Sequence, residues 1–273
     1  METRITKFVL ATIRQSRRRW TPQALSTNMT VAFDMTRRQA GTIIRGLVAA
    51  GELAYTYHLG HSFLEISFNR PVRVSNRVVL KPPSLAYAAQ PEDVVINIKP
   101  GAAFGIGTHP TTQLAIKGIE HAVQLTDGCR VGTGTSILDI GTGSGVLAIT
   151  ALKMGIESGM ATDIDPCARV EAVANIRLNG LADRIAIFDR SIEEIAGRFS
   201  LVVANLRYPT LVQLLAALGQ LMDDTGAAVL SGFTTDELPR LLACCRENRF
   251  EPRWQAEDRQ WAAVVIKQNE PAD

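Results

Sequence analysis

The sequence predicts an α/β protein: a doubly wound, mainly parallel sheet with helices on both faces, preceded by a small unit of three helices and a hairpin. Three observations carry this expectation. Short apolar runs alternate with helical patterns over the later part of the chain, a glycine-rich turn follows one of those runs, and positive charge is concentrated near the start. The 273 residues, 46% hydrophobic and 21% charged, can bury a small and a medium core without disulfides.

Residues 1–70 read as one domain. Apolar Ile5, Phe8, Val9 and Ile13 follow helical spacing. Thr21-Pro22 reads as an N-cap followed by proline at the first helical position. Thr36 caps a third helix through Arg37, Arg38, Ile43, Ile44, Leu47 and Val48, which Gly51 ends. Leu53 to Phe68 alternates around Leu59-Gly60, a strand-turn-strand signal. This order resembles a winged helix-turn-helix domain, with TRRQAGTIIRGLVAAGELAYTYHLGHSFLEISF as recognition helix and wing. The segment carries ten Lys/Arg against four Asp/Glu, while the remainder carries nineteen against twenty-three, so the net +2 conceals a basic unit before a mildly acidic one. Arg17, Arg18, Arg19, Arg37 and Arg38 would suit phosphate contacts. A basic face on a domain that docks onto protein is the competing reading.

Residues 71–95, with Pro71, Pro82, Pro83 and Pro91, read as a linker with short strands. Residues 96–273 form the third region. Strand candidates are 136–140, 160–164, 185–188, 201–205 and 227–231, with helical patterns at 146–154 and 167–178 between them. Phe250 to Lys267 reads as two final strands with no helix between, hence an antiparallel hairpin.

The chemistry concentrates in ILDIGTGSGVLAI, residues 137–149. An apolar strand runs into Asp139, then Gly141, Thr142, Gly143 and Gly145, then a helix. Glycines allow a tight turn with no Cβ to block a ligand, and a helix start offers free amide donors. The spacing G-x-G-x-G and the preceding acid favour the methionine moiety of S-adenosylmethionine over a dinucleotide pyrophosphate. Asp163, followed by Ile164, ends the next strand, where a carboxylate can accept hydrogens from both ribose hydroxyls. Asp189 follows the strand 185–188 and would face the adenine. Asn205 follows the strand 201–205, where its side-chain oxygen could accept from a target amine and aim the nitrogen at a methyl group.

The stretch KPGAAFGIGTHPTTQLAI, residues 99–116, adds a resemblance. With the DIDPxA pattern at Asp163–Ala168, the Ala204-Asn205-Leu206 triplet, LSGF at 230–233 and the late Trp261, it resembles the PrmA family, which methylates bacterial ribosomal protein L eleven. The resemblance spans roughly 70–269. It implies a Rossmann-like class I methyltransferase domain using S-adenosylmethionine and releasing S-adenosylhomocysteine, with no metal. It implies that Thr112, Gly141, Asp163 and Asn205 contact the cofactor, and that Phe104, Gly107 and His109 belong to a loop closing over it. His109 joins Asn205 as a candidate catalytic residue; backbone hydrogen bonding is its plainer role. Ile106 departs from the usual threonine, LRYPTL departs from ILAxPL after the asparagine, and the family's own N-terminal substrate domain is replaced by the winged-helix-like unit.

No apolar run reaches the roughly 18 residues of a membrane span, and no signal peptide is legible, so a cytoplasmic location is expected. Cys129, Cys167, Cys244 and Cys245 form no CxxC pair, so they read as reduced thiols rather than zinc ligands. The expected activity is N-methylation of a protein amine, a lysine or N-terminal amine, on a protein substrate such as a ribosomal one. The alternatives are a nucleic-acid methyltransferase contacting its substrate through the basic domain, a small-molecule methyltransferase, and a DNA-binding regulator that senses S-adenosylmethionine.

Overall fold

The computed structural model describes residues 2–16, 20–58, 61–99, 107, 109–125 and 134–269. The chain divides into two compact units, 1–70 and 71–273. In the first, α1 (Glu2–Gln15), α2 (Pro22–Phe33) and α3 (Arg37–Ala49) precede the antiparallel hairpin β1 (Leu53–His58) and β2 (His61–Ile66). Thr21 accepts a hydrogen bond from the Ala24 amide and caps α2, with Pro22 as its first helical residue. Thr36 caps α3 through a reciprocal box with Gln39. Gly51, at φ +70°, turns the chain out of that helix into β1. Trp20 pairs antiparallel with Leu64, adding a third edge beside the hairpin. Val9, Leu25, Met29, Ala40, Ile44, Leu53 and Leu64 are buried together and form this unit's core.

The second unit starts with a small sheet of β3 (Val72–Arg73), β4 (Val78–Lys81) and β5 (Val94–Asn97), the last two parallel. Arg73 is tied to Asp93 at 2.6 Å, and Tyr87 donates to the same carboxylate. Helix α4 (Pro110–Leu125) leads into a seven-stranded sheet. Its strands are β6 (Ser136–Ile140), β7 (Ser158–Thr162), β8 (Ile185–Phe188), β9 (Phe199–Asn205), β10 (Met222–Thr234), β11 (Phe250–Asp258) and β12 (Trp261–Gln268). The order is β11-β12-β10-β9-β6-β7-β8, parallel from β10 to β8, with β12 antiparallel to β10 and β11 antiparallel to β12. Helices α5 (Val146–Lys153), α6 (Pro166–Leu178), α7 (Tyr208–Leu221) and α8 (Leu238–Glu247) make the crossovers. The central strands are apolar throughout because both faces are covered: Val202, Val203, Ala228 and Val229 are all fully buried.

Of the boundaries that differ from the sequence reading, two bear on the site. The strand expected at 160–164 is β7, at 158–162, because its ladder with β6 runs from Ser136↔Ser158 to Ile140↔Thr162. Asp163 and Ile164 lie beyond the ladder. The stretch from Pro110 onward, read only as part of a loop motif, begins a long helix whose face, including Leu114, Ile116 and Ile119, is buried. Phe104, Cys129, Leu59-Gly60 and Arg17–Arg19 lie outside the described residues. No described helix is long and apolar enough to cross a membrane, and no described group of three His, Cys, Asp or Glu could hold a metal ion.

Candidate cofactor and acceptor site

The site lies where the parallel strands end, at the crevice between β6 and β9. Gly141, Gly143 and Gly145 all have positive φ, at +72°, +54° and +82°. The loop they form is hydrogen-bonded from both ends. The amides of Gly141 and Thr142 donate to the Thr162 carbonyl of β7. The Gly143 amide donates to Asp163 Oδ2 at 2.9 Å. A Cβ on Gly141 would stand 2.6 Å from Leu206, and one on Gly145 would stand 3.3 Å from the Ala172 backbone of α6. The first glycine therefore lets the loop pass the acceptor-side turn, and the third lets α5 and α6 approach.

Asp139 is wholly buried under this loop. Its Oδ2 accepts from Thr142 Oγ1 at 2.7 Å and from the Ala148 amide at 3.1 Å, while Oδ1 is buried with no partner. Burial pushes this carboxyl up to about 7, against the lowering effect of those two donors. Asp163 Oδ1 accepts from the Asp165 amide. Each Asp163 oxygen thus has one backbone donor and retains a lone pair for a ligand hydroxyl. Ile164 beside it is 85% exposed, an apolar side chain with nothing over it at the mouth of the crevice. Asp189 is exposed and paired with Arg169 at 3.7 Å. Arg169 also donates to the Asp163 backbone carbonyl, so one guanidinium links the Asp189 carboxylate to the end of β7.

On the acceptor side, Asn205 ends β9 opposite Ser231 of β10. Its Oδ1 is buried without a hydrogen-bond partner. Gly232, at φ +95°, forms a bulge in β10 beside it; a Cβ there would come within 2.4 Å of the Leu206 carbonyl oxygen and 2.9 Å of Asn205 Oδ1. Ser231 Oγ donates to the Thr111 carbonyl, which fastens the start of α4 onto the same strand end. Thr112, one residue on, holds a buried hydroxyl with no partner. Gly107 packs on Leu80, where a Cβ would stand 2.1 Å from Cδ1.

His109 precedes α4. Its Nδ1 accepts from the Thr111 amide at 3.3 Å and lies 2.8 Å from Thr111 Oγ1, while its ring sits edge-on to Trp261. Burial, reinforced by the nearby Arg259 charge, pushes the imidazole down to about 4. The ring is therefore neutral, with its hydrogen on Nε2 and its Nδ1 as the acceptor that caps the helix.

Sequence reasoning missed Asn175 of α6. Its Nδ2 donates to the Ser144 carbonyl in the glycine loop, and its Oδ1 accepts from the Lys99 amide, where the 100–106 segment begins. The available signal was an asparagine on the helical stripe of Ala168, Ala172 and Ile176, the face that α6 buries.

Orphaned buried oxygens on Thr112, Asp139 and Asn205, a glycine loop at a strand end, an acid with lone pairs to spare and an exposed isoleucine together fit S-adenosylmethionine. The family model described as ribosomal protein L11 methyltransferase (PrmA) matches residues 66–269. The chain belongs to this family. The PrmA match takes in almost all of the second unit and leaves residues 1–65 outside. A ribosomal protein L11 methyltransferase from Geobacter sp. (strain M21) is 37% identical over 198 residues, covering 72% of this chain and 63% of that relative. One from Geotalea daltonii is 40% identical over 172 residues, covering 62% and 54%. The chain thus spans less than two thirds of the length of these PrmA relatives. The crystal structure of a ribosomal protein L11 methylase from Lactobacillus delbrueckii subsp. bulgaricus aligns with a TM-score of 0.65 and 30% identity, covering 74% of this chain and all of that one. The second unit has the Rossmann-like class I methyltransferase fold.

Proposed function

We propose that the chain is an S-adenosylmethionine-dependent N-methyltransferase whose acceptor is a protein amine, a lysine or α-amino group of a ribosomal protein. The observation that carries this reading is Asn205: a buried side-chain oxygen with no partner, at the strand end beside the glycine loop. When bound, S-adenosylmethionine supplies a methyl group on a sulfonium, an electrophile that needs no acid to activate it. Asn205 Oδ1 would accept an N–H of the incoming amine and turn its lone pair inward. That orientation is where an in-line displacement gains most. Gly232 and Gly141 leave room for the Asn205-Leu206 turn to hold its position. Asp163 would accept the ribose hydroxyls, and Thr112 and Asp139 would offer their open oxygens to the methionine end. His109 would position α4 rather than take a proton, because its acceptor nitrogen already serves Thr111. The amine would therefore arrive neutral and keep its remaining protons until it leaves. A ribosomal protein acceptor would place the reaction in the cytoplasm.

Incubation with methyl-labelled S-adenosylmethionine and a lysate of the source organism tests this. Label is expected in protease-sensitive material at the mass of a ribosomal protein. Asn205→Ala should cut incorporation about 100-fold, with a much smaller loss of cofactor affinity. Label released by nuclease would move the acceptor to nucleic acid. No label despite cofactor binding would favour a small-molecule acceptor or a sensor.

A further inference from the structure

Helix α3 presents an outward face that the protein's own fold leaves unused. Ala40, Ile44 and Leu47 are buried, while Arg38, Thr42, Arg45 and Ala49 are exposed and share one stripe at helical spacing. Arg45 donates to Thr42 Oγ1, and Thr42 donates to the Arg38 carbonyl, so the polar groups of the stripe are ordered along the helix. Gly41 and Gly46 flank it. An added Cβ on Gly46 would meet nothing within 4 Å, and one on Gly41 would meet only the tip of Arg45. Two glycines in a helix interior cost stability, and neither is required by packing here. They keep the surface low on both sides of the arginine stripe.

The neighbouring helix completes the face. α2 reaches α3 through the three-residue turn Asp34–Thr36, with Asp34 in the left-handed region at φ +48°. Neither helix has an acidic residue in its first turn. Between Trp20 and Gly51 the sequence holds three arginines and one acid, Asp34. A shallow cavity of about 370 Å³ lies between the first two turns of α2 and Arg37 of α3, lined by Pro22, Gln23, Ser26, Thr27 and Arg37. Hydroxyls, an amide and a guanidinium side by side suit phosphate oxygens. With the hairpin β1–β2 and the Trp20 edge, the order resembles that of a winged helix-turn-helix, in which the second helix of the pair reads the groove and the first crosses the backbone.

We propose that the 1–70 unit binds duplex DNA, with the Arg38–Thr42–Arg45 stripe of α3 in the major groove and the Gln23–Ser26–Arg37 cavity on a flanking phosphate. Charge complementarity selects a nucleic acid over an apolar or basic partner. Groove shape selects DNA, because a helix about 10–12 Å across enters the roughly 12 Å major groove of the B form but not the deep, narrow one of A-form RNA. The inference is independent of the methyl-transfer reading.

The test is fluorescence anisotropy of a labelled mixed-sequence DNA duplex with the full chain. Binding is expected with a micromolar Kd at about 100 mM salt and a steep negative salt slope. The double variant Arg38→Ala, Arg45→Ala should weaken it at least about tenfold and reduce the slope by about two. Gly46→Glu adds a side chain into open space and puts an anion beside the stripe. It should also lose about tenfold or more while the protein melts no lower. A circular dichroism spectrum and melting curve unchanged in all three proteins show that the fold, including that of the 1–70 unit, is retained. Binding that is absent, insensitive to salt, unaffected by these variants, or equally tight on duplex RNA overturns the proposal.

Discussion

Asp139 is the residue whose chemistry is most altered by its place in the fold. Its proton is held up to about 7 by burial, whereas in an unfolded chain it would leave near about 4. Between those values the native state binds the extra proton, so stability of the ligand-free protein should fall as pH rises through that window. A cationic ligand group near the open Oδ1 favours the ionised form. Affinity for S-adenosylmethionine should therefore climb between pH 6 and 7.5, by at most about eightfold, the ratio of ionised fractions. Calorimetric titrations of wild type and Asp139→Asn check this: the variant should show a flat profile, and a parallel rise in both would remove Asp139 from the binding step. His109 poses the complementary case. A ring held down at about 4 is neutral at every working pH, and its Nδ1 caps α4. Asn is also a good cap, so His109→Asn should keep turnover within about threefold, whereas loss of a general base would cost about 100-fold or more. The pH–rate profile of the two proteins distinguishes these outcomes.

At the scale of elements, the site is made by departures from regular structure at strand ends. The β6–α5 turn needs three glycines at positive φ, and the bulge in β10 needs Gly232. The two devices face each other across β9. Gly141 clears Leu206 on one side, and Gly232 clears the Leu206 carbonyl on the other. Gly232→Ala must push against backbone at 2.4 Å, so the Asn205-Leu206 turn should shift. Turnover is expected to fall about 100-fold, with a stability loss of about 1–3 kcal/mol from the strained φ. Single-turnover rates and thermal melts measure the two effects; a loss of stability with an unchanged rate would free Asn205 from dependence on this bulge. Asn175 performs a different task, since one side chain fixes the glycine loop and the strand end at Lys99 together.

At the scale of the molecule, the chain is two cores with separate apolar contents and opposite charge balance. Leu25 is fully buried in the first. Leu25→Ala should cost about 2–5 kcal/mol, a large share of what a unit of this size has to spare. If the units fold separately, this variant loses nucleic-acid or acceptor binding yet keeps S-adenosylmethionine affinity. Circular dichroism melts alongside cofactor titration decide it, and an equal loss of both would mean that the second unit depends on the first.

The sequence alone determined the repeating strand–helix order, the caps at Thr21 and Thr36, the hairpin, and the glycine loop with Asp139, Asp163 and Asn205. Each rests on local rules of backbone sterics, capping and apolar period, which act within a few residues. Tertiary structure decided the rest. Strand β7 ends at Thr162 because its ladder partners end there, a non-local limit that no period reveals. Only the fold shows that Asn175 bridges Ser144 and Lys99, 76 residues apart in sequence for the second contact. The same holds for His109, whose role is set by burial against Trp261 and a hydrogen bond to Thr111. Whether a histidine is a base or a cap depends on the dielectric and donors around it, and those are supplied by residues that the fold, not the sequence order, brings near.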